Sequence, residues 1–220
     1  RHLWPAYQHR HQLRARENNV ISGIKESGQH AQMAAQLVRQ IFKKQMVGIR
    51  HGQALHNVVV PKYDNEAYTY FEDTTLTVEG MRQARTARVP PVDVVLVSPL
   101  ARALQTAELM YPYTNIVALE CLKEFPQHTE ICNRRSAKST LEMLFPRVDF
   151  EDLVAEQQTW PNSMPPAVFR RQFDAYVDTL EADNVAVVTH STWLKFYMTG
   201  QMAPEPELEH CFPYKMINAL

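Results

Sequence analysis

Three things this chain has little of narrow its reading before any motif is considered. Cysteine is scarce: 220 residues carry three, Cys121, Cys132 and Cys211. An odd count at wide spacing argues against a disulfide framework and against a zinc site, and predicts a reducing, cytoplasmic setting. Net charge is almost absent at a formal -1. The chain as a whole therefore has no field with which to hold nucleic acid or a membrane surface. Long apolar runs are missing too, and none approaches the length needed to span a bilayer. No internal repeat or low-complexity tract is visible. What remains is ordinary globular composition, 45% hydrophobic and 21% charged, enough for one domain with a real core. The chain opens at Arg1 rather than methionine and reads as a fragment, from which a targeting segment is open to have been removed.

Charge is unevenly placed. Residues 1–46 hold eight basic residues, Arg1, Arg10, Arg14, Arg16, Lys25, Arg39, Lys43 and Lys44, against Glu17 and Glu26, a net +6. We read residues 1–45 as a solvated basic extension. Met33, Ala34, Leu37, Val38, Ile41 and Phe42 recur within it at helical spacing and predict one amphipathic helix.

Residues 46–220 read as a separate domain in which strands and helices alternate. Met46–Arg50, Val92–Val97, Asn115–Leu119 and Val185–Thr189 are short, β-branched or apolar runs, the mark of strands buried on both faces. Thr77 is placed to cap a helix running to about Arg88, with Pro90-Pro91 ending it. Further helices are expected over Leu100 to about Met110, from a capping box at Ser139-Thr140-Leu141-Glu142, along the face Phe169, Phe173, Tyr176, Val177 and Leu180, and over Thr192–Thr199. This predicts an α/β fold of three layers, α/β/α, with a largely parallel central sheet. The chain is expected to stop short of a final strand or tail. Glu120–Lys138 is long and irregular, as functional loops are.

Parallel α/β sheets present their chemistry beyond the carboxyl ends of their strands. Arg50-His51-Gly52 follows the first strand. Ser98-Pro99-Leu100-Ala101-Arg102 follows the second, with Arg102 in a first helical turn whose amides favour anions. His190 follows Val185–Thr189. Arginine grips phosphate through planar, bidentate contacts, and Gly52 would let the backbone approach an anion. Taken singly these signals are weak: Arg1-His2 and Arg10-His11 match the dipeptide without strand or glycine. Three such ends in order point to a phosphate site.

The ordered motifs resemble those of the histidine phosphatase (phosphoglycerate mutase-like) superfamily. They are Arg50-His51-Gly52-Gln53-Ala54-Leu55-His56-Asn57, Leu76 through Ala84, Ser98 through Ala107, and Val187-Val188-Thr189-His190-Ser191. Cys132-Asn133-Arg134-Arg135-Ser136 and Leu144 through Phe150 are similar to a eukaryotic branch of it. The resemblance implies a phosphoglycerate mutase-like fold and a phosphomonoesterase that needs neither metal nor cofactor. It casts His51 as nucleophile forming a phosphohistidine. Arg50, Arg102 and His190 would bind the phosphoryl oxygens, and Asn57 would order the adjoining loop. Glu124 would protonate the leaving oxygen, with Glu120, Glu130 and Asp73 in sequence reach of the same role. Arg134 and Arg135 either extend the positive rim toward a second anion or form a solvated loop pair. The family often has glycine soon after its second histidine, where Ser191-Thr192-Trp193 stands here. A small phosphorylated substrate is implied, with no nucleic-acid or membrane partner. The alternatives are a phosphoglycerate mutase and an inactive phospho-ligand binding module. Substrate identity and oligomeric state are not legible.

Overall fold

The runs Val94–Val97 and Val185–Val188 are apolar throughout, and successive side chains face opposite layers. The computed structural model describes residues 44–59, 71–125, 130–153, 155–156, 165–202 and 206–216. The basic extension and its amphipathic helix lie outside the described residues. The strands are β1 (Gln45–Arg50), β2 (Val94–Val97), β3 (Asn115–Ala118), β4 (Val148–Asp149), β5 (Asn184–Thr189) and β6 (Pro213–Met216). The helices are α1 (Leu55–Val59), α2 (Val78–Thr86), α3 (Ala101–Met110), α4 (Lys138–Leu144), α5 (Pro166–Thr179) and α6 (Ser191–Thr199).

The sheet order is β4-β3-β2-β5-β1-β6. All neighbours are parallel except β6, which pairs antiparallel with β1. Val94, Leu96, Val185 and Val187 bury one sheet face with Phe169, Phe173 and Val177 of α5 and Trp193, Leu194 and Tyr197 of α6. Val95, Val97, Ala186 and Val188 bury the other with Ala103, Leu104 and Ala107 of α3 and Leu141 of α4. Period-two alternation with both faces covered gives the three layers. Each fully buried aliphatic side chain contributes roughly 1.5–3 kcal/mol.

Several boundaries differ from the sequence reading. Thr77 does cap α2, its side chain accepting from Gly80 N, but the helix stops at Thr86, where Ala87 turns extended. The capping box does not form. Ser139 lies inside α4, whose cap residue is Ala137, and the carboxylate that meets Ser139 N and Oγ is Glu156 from another segment. A sixth strand, β6, follows α6 and has no counterpart in the sequence reading. Among the described residues no helix is long and apolar enough to cross a membrane.

Candidate active site

The parallel register aligns three strand ends. Arg50 lies opposite Thr189, and Val97 opposite Val188. His51, His190 and Ser98 therefore leave the sheet side by side, where the strand order switches direction. The His51 and His190 rings stand 5.1 Å apart. Arg50, His51, Arg102 and His190 are exposed by only 4%, 3%, 1% and 0%. Two guanidinium groups buried this deeply demand compensation by an anion or by acceptors.

Acceptors meet part of that demand. Arg50 donates NH1 to the Leu208 carbonyl at 2.6 Å and NH2 to Glu207 at 2.7 Å. Arg102 donates NH1 to the Cys132 carbonyl at 2.7 Å, NH2 to Asn133 Oδ1 at 2.8 Å and Nε to His51 Nε2 at 3.3 Å. His51 Nδ1 lies 2.7 Å from the Gly52 carbonyl. A carbonyl only accepts, so the ring proton sits on Nδ1, and Nε2 keeps its lone pair. His190 Nε2 meets Ser98 Oγ at 2.8 Å. Ser98 Oγ also accepts from Leu100 N at 3.4 Å. Two buried nitrogens of this cluster, Arg50 Nε and His190 Nδ1, have no hydrogen-bond partner among the described residues.

Electrostatics keep the imidazoles neutral. Burial, then Arg102 and the neighbouring cations, holds His51 and His190 well below their usual 6.5. His56, whose ring is 5.9 Å from His51, is pushed down to about 2, mainly by burial. His210 is lowered by burial and Arg50. Below pH 6.5 the unfolded chain gains protons on these four residues that the folded chain refuses. Glu124, Glu130 and Asp174, raised chiefly by burial, act in the opposite sense. Four against three leaves the unfolded state the net proton binder, so stability should fall as pH drops from about 7 to about 5. The urea midpoint should drop over that interval at constant slope; a rising midpoint would contradict a neutral histidine cluster.

The remaining candidates take varied positions. Glu124 is half-buried, and it accepts from Phe125 N at 2.9 Å, Thr192 N at 3.2 Å and Trp193 N at 3.1 Å. It thereby caps α6, whose first flanking residue is His190. Asn57 accepts from Ala54 N at 2.9 Å and orders the turn after His51. Asp73 receives Ala101 N and both Ser136 N and Oγ, at 2.7, 2.8 and 2.6 Å. The first-turn amides of α3 thus do meet an anion, but it is the protein's own Asp73 carboxylate on Ala101 N. The reading of Gly52 is corrected: its N–H goes to Thr106 Oγ1 at 3.0 Å, and its close approach is to Gly80, whose oxygen a Cβ on Gly52 would meet at 2.6 Å.

Arg135 is not a rim residue. It is buried, pairs with Glu120 at 2.8 Å and donates to the carbonyls of Ser136, Glu156 and Ala155, because a buried guanidinium must spend its donors on nearby acceptors. Arg134 pairs with Glu72 at 3.3 Å, partly exposed. Glu120 also bridges Lys123. The sequence reading missed Ser98 and Asn133 as partners of His190 and Arg102. It also missed His210, whose Nδ1–H donates to the His51 carbonyl at 2.6 Å. Ser98 and Asn133 stood inside motifs already singled out; His210 did not.

Comparison with known proteins adds three findings. The family model of the Histidine phosphatase superfamily (branch 1) matches residues 47–216. A curated fungal protein of Arthroderma benhamiae named "Probable phosphoglycerate mutase" is 28% identical over 131 residues, 46% of this chain and 39% of that protein. The chain thus spans well under half the length of that relative. The crystal structure of ecdysone phosphate phosphatase from Bombix mori, in complex with tungstate, superposes with a TM-score of 0.52 at 18% identity, covering 76% of this chain and 82% of that one. It shares the fold.

Proposed function

From a chain that belongs to the histidine phosphatase superfamily (branch 1), we propose a metal-independent phosphomonoester hydrolase working through phosphohistidine on His51. The observation that carries this reading is the pair of unpartnered buried nitrogens, Arg50 Nε and His190 Nδ1, in the same cluster as a His51 ring whose Nε2 meets only a long 3.3 Å contact from Arg102. A phosphoryl group is the ligand that accepts from both while meeting Nε2. The tungstate-bound insect phosphatase shares this fold, and a tetrahedral oxyanion suits the same cluster of donors.

The steps follow from the geometry. The phosphoryl oxygens accept from Arg50 Nε, His190 Nδ1 and Arg102, displacing the 3.3 Å contact between Arg102 Nε and His51 Nε2. His51 Nε2 attacks phosphorus, held in its tautomer by the Gly52 carbonyl. A carboxylic acid in the segment after β3 protonates the leaving oxygen. Water then attacks the phosphohistidine and returns a proton to that carboxylate. Depressed histidine pKa values keep the nucleophile neutral even in acid.

Hydrolysis is favoured over mutase chemistry by the fate of two cations. A phosphoglycerate mutase must also grip a carboxylate, yet Arg134 is committed to Glu72 and Arg135 to Glu120 and three carbonyls. The test is rapid quenching with a radiolabelled phosphomonoester in the presence of chelator. The label should appear on protein in an alkali-stable, acid-labile form and pass to water. Label passing to phosphoglycerate instead would establish the mutase; binding with no labelled protein would establish a phospho-ligand module.

A further inference from the structure

Glu130 stands just before a short helical turn, Ile131–Asn133, that is docked onto Arg102 twice. Arg102 NH1 takes the Cys132 carbonyl, and NH2 takes Asn133 Oδ1. A guanidinium can only donate, so the buried Asn133 amide must present its oxygen inward and its NH2 outward. That NH2 needs an acceptor, and Nδ2 donates to Glu130 Oε2 at 2.9 Å. One continuous chain of hydrogen bonds runs from His51 Nε2 through Arg102 and Asn133 to Glu130. The arginine that faces the nucleophile therefore also sets the place of this carboxyl.

The two carboxyls of this segment are held in opposite ways. Both oxygens of Glu124 are taken by backbone N–H groups, two of them at the start of α6. Those donors oppose the burial that raises Glu124 and tie both of its oxygens to backbone at the start of α6. Glu130 gives one oxygen to Asn133, and its other oxygen has no partner among the described residues. Resting on the phosphohistidine reading, we infer that Glu130 is the acid that protonates the leaving oxygen, while Glu124 positions His190. The O–H proton of Glu130 moves to the leaving alkoxide as the phosphorus–oxygen bond breaks. In the second half the attacking water returns its proton to the Glu130 carboxylate, restoring the acid.

The surroundings suit the role. Burial and the nearby Glu124 charge raise Glu130 to about 7, against the lowering effect of Asn133 and Arg102. The adjacent Cys132 thiol, pushed up to about 12 by burial, stays uncharged. Glu130 is thus protonated on the acid side of neutrality, and kcat/KM should fall as pH rises through about 7.

The experiment measures kcat/KM for an alkyl phosphate and an activated aryl phosphate in the parent, E130Q and E124Q. A poor alkoxide leaving group depends on the acid; an aryl oxide scarcely does. E130Q should lose about 10³-fold on the alkyl ester and only about tenfold on the aryl ester, and its alkaline limb should vanish. E124Q should lower both esters alike, together with the denaturation midpoint. Equal losses on both esters in E130Q, or the selective loss in E124Q, would overturn the assignment. Equal aryl turnover by the parent and His51→Ala would instead remove the phosphohistidine reading itself.

Discussion

Replacing His51 with alanine should abolish hydrolysis of an aryl phosphate, with kcat falling by about 10⁴-fold or more. The His51 ring is fixed by a proton on Nδ1 that the Gly52 carbonyl holds at 2.7 Å, which turns Nε2 toward Arg102 at the strand ends. His190 is tied through Nε2 to Ser98. Inorganic phosphate should still protect the variant against thermal unfolding, because Arg50, Arg102 and His190 remain. The parent's turnover should survive chelation. Comparable turnover in parent and variant would place the nucleophile elsewhere.

The second large effect concerns architecture. A Cβ on Gly80 would lie 2.9 Å from both N and C of Gln53 and nearer still to its carbonyl oxygen. These are backbone atoms of the turn that follows His51, and they cannot rotate aside. Gly80→Ala should therefore cost about 3 kcal/mol or more, lowering Tm by roughly 6–12 °C. The turn it displaces carries the Gly52 carbonyl that sets the His51 tautomer, so kcat/KM should also fall, by about 10²-fold. An alanine variant with parental Tm and activity would show that the two backbones do not need to touch. Circular dichroism melting and steady-state kinetics on the same preparation decide it.

The legible and illegible parts of this chain divide along a physical line. Val94–Val97 and Asn184–Thr189 could be read because burial on both faces permits only apolar residues there. Arg50, His51, Arg102 and His190 could be read because each sits at the end of such a run. β4 has two residues and β6 is Pro213–Met216, partly exposed at a sheet edge. Neither is long or apolar enough to leave a pattern, and a proline is tolerated at an edge. Arg135 was misjudged because sequence records its charge but not the carbonyls of Ala155 and Glu156 that absorb it. The contacts of Asp73 and Asn133 were illegible for a related reason. Their roles exist only across space, between segments that nothing in local spacing connects.

The position of β1 has a consequence for how the protein is made. Its two neighbours in the sheet are β5 and β6, the last strands among the described residues. A ribosome adding 5–20 residues per second needs on the order of ten seconds between finishing Arg50 and finishing Thr189. Throughout that time the strand that ends at Arg50 has neither of its ladders. The nascent polypeptide can build β2, β3 and the helices beside them, but His51 has no partner ring. The cluster closes in one late event, when β5 slides between β1 and β2 and brings His190 beside His51.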